Sequence, residues 1–199
     1  MNNLAGPYDL RANLWRTAFY KAFDYGQFIA GGSPAEQARW HKHLEKIIVP
    51  IETNKRFQNF KRELNILVLA GTWCGDCARQ APMIHKLETL APEKIKARFL
   101  DNQADPEIRD ELRLCGGARV PVAIAMTEDF FELGRFGDRS LAYYRNKIKN
   151  ETEGAICESG ISLPTAEELT SELIEWAEFI ERCQLIARLS PFLRNRWKD

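Results

Sequence analysis

The sequence has no excess of charge of either sign. Its 28 lysine and arginine residues are balanced by 28 aspartate and glutamate residues, so the formal net charge at pH 7 is zero. A chain without a net positive field does not attract nucleic acid or an anionic membrane surface over a distance. We therefore expect no nucleic-acid partner.

Long hydrophobic runs are also missing. No stretch approaches the ~20 apolar residues that a membrane-spanning helix needs, so we expect no membrane association. Residues 1–8 have neither a basic start nor an apolar stretch, and so give no sign of a secretory signal. The five cysteines are odd in number and irregularly spaced, unlike the disulfide framework of a small secreted protein. These absences favour a reducing compartment and predict a cytoplasmic protein.

One dense motif stands out, the sequence WCGDC at residues 73–77. It follows an apolar run over residues 66–70, which predicts a strand, and precedes an amphipathic run over residues 78–90, which predicts a helix. Cys74 and Cys77 then lie in the first turn of that helix. Free backbone N–H groups and the positive end of the helix dipole favour a thiolate there.

A thiolate in this position predicts thiol–disulfide exchange. Cys74 is expected to be the exposed nucleophile, which attacks a partner disulfide and forms a mixed disulfide. Cys77, one turn further on and more buried, then attacks Cys74 and releases the reduced partner. The two side chains can meet because residues three apart share one helix face.

Strands and helices alternate around this motif. Strands are expected at residues 66–70, 96–100, 120–126 and 131–136, and helices after the first, second and fourth of them. The predicted order is therefore β-α-β-α-β-β-α. The first unit is a parallel crossover, and the last two strands are close enough to form a hairpin.

Helices are expected on both sides of this core. They cover residues 8–30, 33–47 and 54–63 before it and residues 166–189 after it. Ser33 and Glu36 form the capping box that begins the second of these helices. We expect a single domain in three parts: a helical N-terminal extension (1–63), a core (64–150), and a loop with a C-terminal helix (151–199).

These features resemble the thioredoxin superfamily. The resemblance is carried by the strand at 66–70, the WCxxC motif, Pro82 in the following helix, and Val120-Pro121 at the third strand. It covers about residues 64–150, and the whole chain is similar to bacterial thioredoxin family proteins with helical extensions. The resemblance implies an α/β thioredoxin fold, with a central mixed four-stranded sheet and added N- and C-terminal helices.

The resemblance also implies roles for residues outside the dithiol. Val120-Pro121 corresponds to the cis-proline loop of the family, in which Val120 offers its main chain to substrate and Pro121 shapes the groove. An ordinary trans proline at a strand start is the alternative. Trp73 is expected to shield the dithiol and contact partners, or else to be a core tryptophan. Gly137 is expected beside the same groove.

Two residues depart from the family pattern. Asp76 takes the proline position of the usual Gly-Pro centre, and only Gly75 is retained. A carboxylate there opposes the Cys74 thiolate, which raises its pKa and favours a reductant, unless Arg79 folds back to offset the charge. Otherwise Asp76 is simply a favourable first-turn residue. Val68 replaces a buried aspartate that helps to deprotonate the resolving thiol, so Asp76 or solvent would have to serve instead.

Other interpretations of the cysteines remain open. Cys74 and Cys77 are either catalytic, inert core thiols or half of a zinc site, which would need two more ligands. No second Cys-x-x-Cys pair exists, and His41 and His43 are two apart on a predicted helix, so they do not face one ligand. Three cysteines lie outside the motif: Cys115, expected to be buried rather than regulatory; Cys157, a loop thiol and the better candidate for a second reactive thiol; and Cys183, expected to pack in the core.

The sequence therefore predicts a cytoplasmic protein disulfide reductase. It needs no cofactor beyond the redox-active Cys74–Cys77 pair. Its substrates would be disulfide-containing proteins, and because no GxGxxG fingerprint occurs, its electrons would come from a separate reductase. The alternative is a redox-sensing binding protein or holdase, whose helical extensions dock a partner through their tryptophans.

Overall fold

A four-stranded mixed sheet forms the centre of the protein in the computed structural model, which describes residues 7–152 and 164–198. Its strands are β1 (Leu64–Ala70), β2 (Ile95–Asp101), β3 (Val122–Met126) and β4 (Glu132–Gly137). The order across the sheet is β2-β1-β3-β4, with β1 and β2 parallel and the other neighbours antiparallel. The predicted fold class is confirmed.

Helices lie before, between and after the strands. The N-terminal part of the described chain contains α1 (Ala12–Lys21), α2 (Tyr25–Ala30), α3 (Pro34–Lys46) and α4 (Ile51–Gln58). The central part contains α5 (Gly75–Glu88), α6 (Pro106–Glu111) and α7 (Leu141–Thr152), and the C-terminal part α8 (Ala166–Leu189) and α9 (Pro191–Trp197). None of the helices described here is long and apolar enough to cross a membrane.

The prediction of a single helix over residues 8–30 is wrong. The chain leaves the helix after α1 because Phe23 pairs with Phe99 of β2, by backbone hydrogen bonds of 3.0 and 2.7 Å. Asp24 then begins α2 with a capping box to Gln27. The predicted box of Ser33 with Glu36 is present at the start of α3.

Other boundaries also differ from the prediction. The helix expected over residues 54–63 is α4, which begins directly after Pro50. β3 begins at Val122, two residues late, because the preceding pair forms a loop. α8 ends at Leu189 as predicted, but Ser190 then caps α9, a helix that begins at Pro191 and that sequence reasoning missed.

Residues from both extensions share one hydrophobic core with the sheet. Trp15 of α1, Trp40 of α3 and Trp176 of α8 are fully buried in the same cluster as β1. All seven residues of β1 are buried, as expected for a strand covered on both faces. The WCGDC motif follows closely after this buried strand, so the core fixes the position of the dithiol.

A candidate dithiol active site

The two thiols of the motif lie at the N-terminus of α5. Cys74 is the N-cap residue, and its Sγ accepts a hydrogen bond from the backbone N–H of Cys77 at 3.3 Å. Cys77 is fully buried, whereas Cys74 is 9% exposed. The prediction of an openly exposed nucleophile is therefore wrong, because the Cys74 sulfur lies 3.7 Å from the carbonyl oxygen of Val120. Cys74 is still the more accessible thiol of the pair.

Hydrogen bonding separates the acidities of the two thiols. The Cys77 thiol donates to the Cys74 sulfur, as do the backbone N–H groups of Cys77 and Asp76, and together these lower the pKa of Cys74 from 9.0 to about 7. Burial of Cys74 and the Asp76 carboxylate act in the opposite direction. Burial raises the pKa of Cys77 far above its ordinary value. At neutral pH, Cys74 is the thiol that can exist as a thiolate.

Alkylation of the reduced protein tests this difference directly. Because iodoacetamide reacts with the thiolate, the rate at Cys74 should rise with pH and reach half its maximum near pH 7. Cys77 should stay unmodified over the same range while the protein is folded. Peptide-resolved mass spectrometry measures both rates, with exposed Cys115 as an internal comparison. A midpoint above pH 8.5 at Cys74 would contradict the stabilised thiolate.

An arginine from the far end of the sheet pairs with Asp76. Arg139, two residues after β4, donates from Nη2 and Nε to Oδ2 of Asp76 at 2.6 and 3.0 Å. Their side chains are 23% and 25% exposed. Arg79, the alternative partner considered from the sequence, does not offset this charge, because it binds buried Glu172 of α8 at 2.5 Å. Sequence reasoning missed Arg139, which only the fold brings to the dithiol.

The Val120-Pro121 loop covers the dithiol from the other side. Its peptide bond is cis, in agreement with the sequence prediction. The Val120 carbonyl contacts Cys74, and Gly137 of β4 packs on the loop so closely that a Cβ there would lie 2.4 Å from the Pro121 carbonyl oxygen. Gly137 is thus where it was expected, and the loop and the dithiol form one site.

A partly buried polar network holds this loop in place. Asp138 accepts hydrogen bonds from Arg119 at 3.1 Å and from the hydroxyl of Tyr144, and Gln80 of α5 donates to its carbonyl at 2.9 Å. Burial acts to raise the pKa of Asp138, but the two donors to its carboxylate lower it overall. Arg119 directly precedes the cis-proline pair, so the network ties the loop to α5 and α7. Sequence reasoning did not predict it.

Trp73 is not a core tryptophan. Its side chain is 51% exposed, and the indole folds back over Gly71, where a Cβ would lie 2.6 Å from its Nε1. Gly75 is exposed with open space around its Cα. Val68, in contrast, is fully buried in β1 and supplies no carboxylate. Among the neighbours of the dithiol, Asp76 is the carboxylate whose charge acts on both thiols.

Three cysteines lie outside the WCGDC motif in the sequence. Cys115 is exposed, with a left-handed backbone (φ 50°) in the turn after α6, so the expectation of a buried residue is wrong. Cys183 is buried in α8, as predicted, and burial raises its pKa to about 12. Cys157 lies outside the described residues. Within residues 7–152 and 164–198, no three or more side chains of His, Cys, Asp or Glu are grouped to hold a metal ion.

Comparisons with known proteins agree with this fold. A family model described as thioredoxin matches residues 23–145. The fold is similar to that of a protein of unknown function from Pseudomonas aeruginosa, with 21% identity, a TM-score of 0.68, and coverage of 84% of this chain and 96% of that one. It is also similar to an HIV epitope-scaffold, with 22% identity, a TM-score of 0.60, and coverage of 85% and 92%. No curated protein matches the sequence.

Proposed function

The chain belongs to the thioredoxin family, and on that premise we propose that it is a thiol–disulfide oxidoreductase that works as a protein disulfide reductase. The observation that carries the proposal is the contrast between the two thiols at the start of α5. Cys74 is partly accessible and has a pKa lowered to about 7, whereas Cys77 is buried and has a raised pKa. This contrast suits one thiol for attack on a partner and the other for resolution.

The proposed reaction has two exchange steps. The Cys74 thiolate attacks one sulfur of a partner disulfide, that S–S bond breaks, and the released partner thiolate takes up a proton. Cys77 then loses its proton and attacks the Cys74 sulfur, which releases the second partner thiolate and leaves a Cys74–Cys77 disulfide. The partner gains two electrons and the dithiol loses two. The Cys77 proton passes to Asp76 or to solvent, because Val68 supplies no carboxylate beside the dithiol.

The substrates of this proposal are disulfide-containing proteins. The half-exposed Trp73 and the Val120 carbonyl flank Cys74 and supply an apolar surface and a main-chain acceptor for an extended segment. A separate reductase must return the two electrons. We place the protein in the cytoplasm, where a reducing environment keeps such a dithiol reduced.

Reduction of insulin disulfides by dithiothreitol tests the proposed activity. The wild-type protein should accelerate the reaction well above the rate with dithiothreitol alone, because Cys74 supplies a thiolate at neutral pH. Precipitation of the reduced insulin B chain reports the rate. A wild-type rate equal to the background would contradict the proposal and favour the alternative of a redox-sensing binding protein.

The Cys77→Ser variant should trap the intermediate. A serine hydroxyl does not resolve the mixed disulfide, so a covalent adduct of Cys74 with an insulin chain should accumulate. Non-reducing electrophoresis and mass spectrometry detect the adduct, and dithiothreitol should release it. The double variant Cys74→Ser/Cys77→Ser is the control. An adduct that forms equally in the double variant would assign the reactive thiol elsewhere.

The Asp76–Arg139 pair should set the reduction potential. Asp76→Asn removes the charge that opposes the thiolate, so the potential should rise, whereas Arg139→Met leaves Asp76 unpaired, so it should fall. A change of one unit in the pKa of Cys74 corresponds to roughly 30 mV, and we expect shifts of about 10–30 mV. Equilibration with glutathione measures the reduction potential of each variant, and the potential of the double variant should lie between those of the two single variants. Shifts of the same sign in the two single variants would refute this role.

A further inference from the structure

Helix α3 of the N-terminal extension binds the loop that carries the dithiol. Arg39 donates from Nη2 to the carbonyl oxygens of Thr72 and Trp73 at 3.2 and 2.8 Å. Trp40 donates from Nε1 to the same Thr72 oxygen at 2.9 Å. The Thr72 hydroxyl donates to the Glu36 carboxylate at 3.3 Å. Side chains from α3 therefore bind two consecutive peptide groups between β1 and Cys74.

The peptide group that joins Trp73 to Cys74 is held at both ends. Its carbonyl oxygen accepts the 2.8 Å hydrogen bond from Arg39, and its N–H donates to the Gly71 carbonyl at 3.1 Å. Because α5 holds the carbonyl side of Cys74 through the 3.0 Å bond from the Ala78 N–H, fixing this peptide plane restricts the φ of Cys74, which is −76°. The direction of the Cys74 side chain relative to the N–H groups of α5 depends on that angle.

Helix α3 is itself firmly anchored, so it can act as a support. Ser33 and Glu36 cap its start. Trp40 is fully buried, and its ring packs against those of Tyr25 and Phe28 in α2, with centroids 5.9 and 5.6 Å away. Arg39, the residue before Trp40, thus reaches the loop from a helix whose position is fixed by this packing.

We propose that Arg39 is a positioning residue for the Cys74 sulfur, so that the N-terminal extension forms part of the redox site. The 3.3 Å hydrogen bond from the Cys77 N–H to this sulfur depends on the direction of the Cys74 side chain, and such bonds weaken steeply as their geometry worsens. Without Arg39, the Trp73 carbonyl loses its side-chain donor and the peptide plane is held only through its N–H bond to Gly71, so it can tilt. The sulfur then meets the N–H groups of α5 less well. The importance of this contact for catalysis rests on the proposed function.

The rate of Cys74 alkylation as a function of pH tests the proposal without any need for turnover. Arg39→Met keeps the length and helix propensity of the side chain but removes both hydrogen bonds. We expect the Cys74 midpoint to rise by about one pH unit, which lowers the alkylation rate at pH 7 about fivefold. Arg39→Lys keeps one charged donor and should recover part of the rate. Lys42→Met, which removes an exposed cation from the same helix, should leave the midpoint at the wild-type value.

The outcomes separate this inference from the proposed function. Equal midpoints in folded Arg39→Met and wild type would overturn the positioning role, even if the wild type reduces insulin. A raised midpoint in a protein whose wild type does not reduce insulin would support the positioning role and reject the reductase. Circular dichroism checks that each variant is folded. Arg39→Gln, a second variant too short to bind both carbonyls, should raise the midpoint in the same direction.

Discussion

Replacing Cys74 with serine should reduce the rate of insulin reduction to that of dithiothreitol alone. A serine hydroxyl does not ionise near neutral pH, so the attacking thiolate is lost. Cys77 does not take over, because it is fully buried and its pKa is raised. We expect a loss of roughly a thousandfold or more in the rate above background, as for other essential nucleophiles. The turbidity assay with matched protein concentrations measures it.

This variant should remain folded, which makes the loss informative. Cys74 is the N-cap of α5, and serine is among the most favourable N-cap residues, since its oxygen also accepts from the N–H two or three residues on. Cys115→Ser is the matched control, because it removes an exposed thiol outside the site. Its rate should stay within about twofold of wild type, the range of most surface substitutions. Retained activity in Cys74→Ser together with loss in Cys115→Ser would move the nucleophile to Cys115.

Local sequence patterns predicted the elements whose causes are local. The apolar run at 66–70 becomes β1 because a strand buried on both faces needs no alternation. Ser33 and Glu36 are three residues apart and cap α3 by contacts within one turn. The break between α1 and α2 was not predictable in this way. It depends on the pairing of Phe23 with Phe99, a contact between residues 76 positions apart in the chain.

The candidate site divides in the same manner. The dithiol and the cis-proline pair are recognisable in the sequence because each is a short motif of residues that lie close together in the chain. The partners of the dithiol motif are not recognisable in the sequence, because Arg39 lies 34 positions from Trp73 and Arg139 lies 63 positions from Asp76. Arg79 lies only three residues after Asp76 and was therefore the natural candidate for the partner of Asp76. The fold instead places Glu172 beside Arg79.

These distant contacts give the extensions a role beyond covering the sheet. From the N-terminal side, α3 binds the carbonyls that precede Cys74. From the C-terminal side, α8 supplies the Glu172 carboxylate that holds Arg79 away from Asp76, and so leaves Asp76 to Arg139. The surroundings of the dithiol thus include contacts from parts of the chain that the core alone would lack.

A substitution at Gly137 should have the largest effect on stability. Its φ of 148° lies where side chains are strained, and a Cβ would meet the Pro121 carbonyl oxygen at 2.4 Å and the Val122 Cα at 2.9 Å. Both are backbone atoms, so β3 and β4 must separate to admit the methyl group of Gly137→Ala. We expect a loss of about 3 kcal/mol or more in the free energy of unfolding, which corresponds to a fall of roughly 6–12 °C in Tm for a chain of this size.

Gly134→Ala provides the comparison within the same strand. A Cβ there would meet only side chains, Phe179 at 3.4 Å and Cys183 at 3.7 Å, which are ordinary contacts. Its Tm should therefore change by only a few degrees, about 1 kcal/mol or less. The two variants should also differ in activity, because the atom displaced by Gly137→Ala belongs to the loop that contacts Cys74. Equal changes in Tm and in insulin reduction for Gly137→Ala and Gly134→Ala would show that the close contact between Gly137 and Pro121 does not hold the loop over the dithiol.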